Sequence, residues 1–135
     1  MAKDEIELEL EKTMQLKGFR HGIHEFLART QGPEALKKHN DKSKEHYLKQ
    51  GLLDKKTKEL LMIVGIVAGR GLISHIQIHM HAAHKAGASP EEILEALNLM
   101  RSNLGSLVSM NGLEAWRATF RPDIPSIDRV VAVAQ

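Results

Sequence analysis

Four of the chain's eight histidines, His75, His79, His81 and His84, fall within one ten-residue window. In a helix, at roughly 100° per residue, His75 and His79 lie one turn apart on a shared face, while His81 and His84 project to about the opposite side. The first pair shares its stripe with Leu72, Ile76, Ala83 and Ala86, which places it on the apolar side, and the second stands with Gln77 nearer solvent. Neutral imidazole serves both as a general base and as a metal ligand. An i, i+4 pair can therefore give two ligands to zinc, nickel or iron, with a third from Glu59, His21 or His24. Alternatively His79 exchanges protons while a neighbour orients it, a reading that requires no cofactor. The plain alternative is a pair of core histidines satisfied by backbone carbonyls or by each other. Glu59 is equally open: it is an acid stabilised by the dipole of the helix it heads, or a carboxylate held beside the pair to fix a tautomer or move a proton.

Sulfur chemistry is excluded at the outset. None of the 135 residues is cysteine, so there is no disulfide, thiolate nucleophile, cysteine zinc site or iron–sulfur cluster. The length suits a single domain over residues 1–135. A net charge of +2 is too small to draw the chain onto nucleic acid, and a 4% aromatic content leaves little for base stacking. The opening MAKDEIELELEK is acidic and lacks the apolar stretch of a signal peptide. The longest apolar run, Leu60 to Ala68, is about half of the roughly 18 residues a membrane span needs. The expectation is a cytoplasmic protein acting on a small molecule, with no membrane or nucleic-acid partner.

The elements that must position these side chains are helices, since apolar residues recur with the 3.6-residue period and no stretch alternates as a strand would. The fold class is all-α, with about six helices. The first spans about Asp4 to Leu16 and stops at Gly18; a second holds Ile23, Phe26 and Leu27 and ends before Pro33, which opens a third. The stretch Glu34 to Gln50 mixes Lys37, Lys38, Lys42, Lys44 and Lys49 with acids, which reads as a solvated face. Asp54 caps a helix whose run Leu60 to Ala68 is apolar on every side and therefore expected to be surrounded. Gly69, Arg70 and Gly71 turn it into the histidine helix, giving a central helical hairpin. Ser89-Pro90-Glu91-Glu92 opens the next helix with a capping box, and Leu104 to Phe120 forms a last one. Pro122 and Pro125 then break the chain before the apolar Val130 to Ala134, read as a packed helix, a loose end or an arm on a neighbouring subunit.

The run Leu53 to Leu61, the apolar helix, Ile76-Gln77-Ile78-His79, Ala82-Ala83 and Lys85-Ala86-Gly87-Ala88-Ser89-Pro90-Glu91-Glu92-Ile93 resembles the carboxymuconolactone decarboxylase and alkylhydroperoxidase D-like superfamily over about residues 45–120. The resemblance divides the chain into N-terminal helices (1–44), a core (45–120) and a C-terminal tail (121–135). Its redox branch carries a Glu, a Cys-x-x-Cys pair and a His four residues after the second Cys. Here His79 matches that His, and Leu72 and His75 stand where the cysteines would be. Without them the thiol peroxidase reaction has no attacking or resolving sulfur. The decarboxylase branch also lacks the pair. The resemblance thus implies a thiol-independent lyase in which His79 and His75 move a proton, Glu59 assists, and Arg70 or His75 meets the substrate carboxylate. It also implies a homo-oligomer, trimer or hexamer, with sites near subunit contacts.

Overall fold

The computed structural model describes residues 2–135, with side chains from Asp4 onward. All regular structure among them is helical: α1 (Ala2–Lys17), α2 (Gly22–Gln31), α3 (Pro33–His46), α4 (Lys55–Ala68), α5 (Ile73–Lys85), α6 (Pro90–Leu104) and α7 (Ser106–Phe120). The described residues form seven helices where about six are expected. Gly18, Gly32 and Gly105 take φ of 80°, 91° and 90°, a conformation that strains other residues. Leu104, expected to open the last helix, therefore closes α6. Residues 121–135 contain turns and bends but no helix. No helix is long and apolar enough to cross a membrane.

The chain forms two compact units, Met1–Leu52 and Leu53–Gln135. In the first, α1, α2 and α3 pack around Leu10, Ala28 and Leu36, with Ile6 against them. In the second, α4 to α7 enclose Ile63, Val67, Ile76, Met80, Ile93, Leu97 and Ala115. Ser89 Oγ accepts the Glu92 N–H while the Glu92 carboxylate accepts the Ser89 N–H, so the capping box fixes where α6 begins. Trp116 Nε1 donates to the Pro90 carbonyl at 2.8 Å and ties α7 to that start.

The all-apolar helix α4 departs from expectation, because it is not surrounded within this unit. Ile63 and Val67 are fully buried, whereas Leu61 on the other side is 56% exposed. Three helices cover only part of its circumference. Leu72, expected on the buried stripe of α5, is likewise exposed, since it is the residue just before the helix.

α7 approaches α4 and α6 at Gly112, where an added Cβ would lie 2.7 Å from Val67 Cγ2 and 3.0 Å from Leu97 Cδ2. At Gly65, also in a helix interior, an added Cβ would meet nothing within 4 Å. Glu114 on α7 fastens the chain that follows: it holds Arg117 through two hydrogen bonds and accepts from Ser126 Oγ at 2.9 Å and the Ile127 N–H at 2.8 Å. The Arg117 guanidinium, with the Ile127 and Ser126 donors, pulls the Glu114 carboxyl down to about 2.

Two outcomes follow. Gly65→Ala should raise stability by about 0.5–1 kcal/mol through helix propensity. Gly112→Val should lower it by about 1–3 kcal/mol through overpacking, both read from urea denaturation midpoints. Because the folded Glu114 sits below its ordinary value of 4.5, its contribution is complete above that pH and is lost as pH falls toward about 2. Amide exchange at Ile127 should accelerate across that acid window in the native chain and show no such step in Glu114→Gln.

Candidate functional site

The hairpin of α4 and α5 turns through a Schellman motif. The Gly71 N–H donates to the Ile66 carbonyl at 2.8 Å and the Arg70 N–H to the Val67 carbonyl at 3.0 Å. Arg70 occupies the left-handed position, φ 58°, where glycine is usual, and its side chain is exposed. The turn sets α5 against α4 so that Glu59, in the second turn of α4, meets His79, midway along α5.

These two side chains form the buried polar centre of the C-terminal unit. His79 Nδ1 lies 2.8 Å from Glu59 Oε2, with Glu59 0% and His79 2% exposed. A carboxylate only accepts, so with Glu59 ionised Nδ1 carries the hydrogen and donates it. The contact thereby selects the tautomer whose Nε2 holds the lone pair. The His75 ring is 5.2 Å from that of His79, tilted by 57°, and is half-buried. Two imidazoles and a carboxylate, two of the three withdrawn from water, can hold and transfer a proton.

Of the residues singled out in the sequence, His79, His75 and Glu59 are thus brought together. Arg70 sits on the exposed turn that joins their helices. His81 is exposed, and His84 donates from Nδ1 to the Ala88 carbonyl at 2.9 Å while its ring meets Phe120 edge-on. His21 and His24, weighed as a third metal ligand, instead cap α2 in the N-terminal unit: the Ile23 N–H reaches the His21 ring, and the His21 N–H donates to His24 Nδ1 at 3.0 Å. Among the described residues no group of three or more His, Asp or Glu side chains is placed to hold a metal ion.

The N-terminal unit holds a second polar centre that residue spacing does not announce. His24 is 2% exposed, its ring 5.7 Å from that of His39 and its Nε2 3.4 Å from Lys17 Nζ. Burial lowers the pKa of Lys17, and burial together with the charges of Lys17 and Lys42 lowers that of His39. A His-x-x-His capping box differs from the usual Ser-x-x-Glu, and this was the one trace of the centre in the sequence.

A family model for the carboxymuconolactone decarboxylase family matches residues 33–118. The match begins at Pro33, so it takes in α3 ahead of the stretch from about residue 45 that carries the resemblance. Comparison with curated proteins and with solved structures gives no match.

Removing one partner of a buried polar pair strands the other. Glu59→Ala should therefore lower stability by about 3–5 kcal/mol, and Glu59→Gln, which keeps an acceptor oxygen, by clearly less. Denaturant melts of the two variants measure this; equal losses would show that packing, and not the hydrogen bond, is what Glu59 contributes.

Proposed function

This chain belongs to the carboxymuconolactone decarboxylase family, and we propose that it carries out thiol-independent acid/base chemistry on a small carboxylated or lactone substrate. The buried contact between His79 and Glu59, with His75 beside it, is the observation that supports this reading. In a decarboxylation of this kind the bond between carbon and the carboxylate breaks, carbon dioxide leaves, and the electron pair passes into the conjugated carbonyl system. The carbon then takes a proton. His79 supplies that proton from Nε2, and Glu59 stabilises the charged ring that precedes the transfer. His79 is the catalytic residue in this scheme, Glu59 a positioning residue. Thiol peroxidation has no part in it, as the chain has no cysteine.

Arg70 orients the substrate carboxylate. An arginine in a left-handed turn position costs about 1 kcal/mol or more that glycine would avoid, and such strain concentrates at functional positions. The working form is a homo-oligomer, trimer or hexamer, in which a neighbour covers the apolar side chains that one chain leaves open. Leu61, Leu72, Leu99 and Leu107 of the C-terminal unit are each more than half exposed.

Carbon dioxide release from lactone carboxylates, followed with purified protein, tests the scheme. His79→Ala should bring turnover to background while the far-ultraviolet circular dichroism spectrum stays helical; an unchanged rate would dismiss the role. Arg70→Gly should move the other way on the two scales, raising stability by about 1 kcal/mol and raising KM.

A further inference from the structure

The C-terminus of α1 holds a lysine whose charge has little support. Lys17, the last residue of that helix, is half-buried, and its Nζ lies 3.4 Å from Nε2 of the buried His24 in the first turn of α2. Two more rings stand against the same imidazole, His39 of α3 at 5.7 Å and Phe19 at 5.8 Å. No carboxylate pairs with Lys17 among the described residues.

The hydrogen bonds of His24 decide which form of Lys17 suits it. The His21 N–H donates to His24 Nδ1 at 3.0 Å, so Nδ1 presents a lone pair and carries no hydrogen. A ring that accepts at Nδ1 is neutral, and its one hydrogen is on Nε2, the atom that faces Lys17. An ammonium only donates, and would set N–H against N–H at this contact. A neutral amine has the lone pair that accepts from Nε2–H. Burial acts in the same direction, because loss of water penalises the charged form, and it lowers the Lys17 pKa. The last carbonyls of α1 attract a cation, but the Lys17 amine bonds to none of them.

We propose that Lys17 is a nucleophilic amine that condenses reversibly with small aldehydes. The Nζ lone pair attacks the carbonyl carbon while the C=O π pair moves to oxygen, a proton passes from nitrogen to oxygen to give the carbinolamine, and loss of water leaves the imine. No oxidant or reductant is consumed. An ordinary exposed lysine is neutral in about one molecule in a thousand or fewer at neutral pH, so an amine held neutral by its surroundings has a large advantage. Half-burial favours a small carbonyl compound over a bulky one. The site lies in the N-terminal unit and does not depend on the reading of His79.

Reductive alkylation of the full chain with propionaldehyde and cyanoborohydride at neutral pH, followed peptide by peptide in the mass spectrometer, tests the proposal. Lys17 should be alkylated about tenfold or more faster than the exposed Lys12, Lys37 and Lys44. Its rate should level off at a lower pH than theirs, and guanidinium at a denaturing concentration should bring all four to a common rate. His24→Asn keeps an acceptor for the His21 N–H but removes Nε2–H, and should slow Lys17 toward the exposed lysines. Equal rates in the native chain, an advantage that survives denaturation, or a His24→Asn chain alkylated as the native one is would each overturn the proposal.

Discussion

The C-terminal unit is organised around one hydrogen bond. Glu59 and His79 are withdrawn from solvent, and a buried carboxylate is tolerated only when hydrogen bonds replace the water it has lost. The Schellman turn at residues 69–71, the packing of Ile63 and Val67 against Ile76 and Met80, and the approach of α7 at Gly112 all hold α4 and α5 in the register that closes this contact. Replacing the pair with apolar side chains of similar volume would satisfy the core equally well. That such a polar pair occupies the core is the physical reason to look for chemistry there.

The N-terminal unit shows the converse arrangement. Its apolar core is small, Leu10, Ala28 and Leu36, and polar groups fill much of what remains: Thr13 and Asn40 bonded to each other, and His24 at the head of α2. Its outer surface carries a network in which Glu7 and Glu25 both engage Arg20 and Arg29. Exposed pairs of this kind contribute little individually, and a network can contribute more. Specific polar contacts therefore take a larger share in setting the geometry of α1 to α3 than in the other unit.

The legible parts of the sequence were those with local physical signals. The helical class, the α4/α5 hairpin, the start of α6 at Ser89 and the common face of His75 and His79 all follow from periodicity and capping rules that need no tertiary information. Glu59 was harder. Its position at the head of an apolar helix suits a dipole-stabilised acid as well as a buried partner, and only the angle between two helices distinguishes them. The partial cover of α4 was illegible for the same reason, since hydrophobicity on all sides states a need for cover without saying what provides it. The lysines of α3 were legible as a solvated face, for Lys37, Lys38, Lys42 and Lys44 are exposed, whereas the burial of Asn40 against Thr13 had no local signal.

Glu59 and His79 are separated by 20 residues along the chain and joined by one tight turn. A contact of such short sequence separation costs little loop-closure entropy. The buried pair is thus carried by a single supersecondary unit, the α4/α5 hairpin. Recombination that exchanges the remaining helices, or fusion of this hairpin to a new scaffold, would transmit Glu59 and His79 together on one continuous piece of chain.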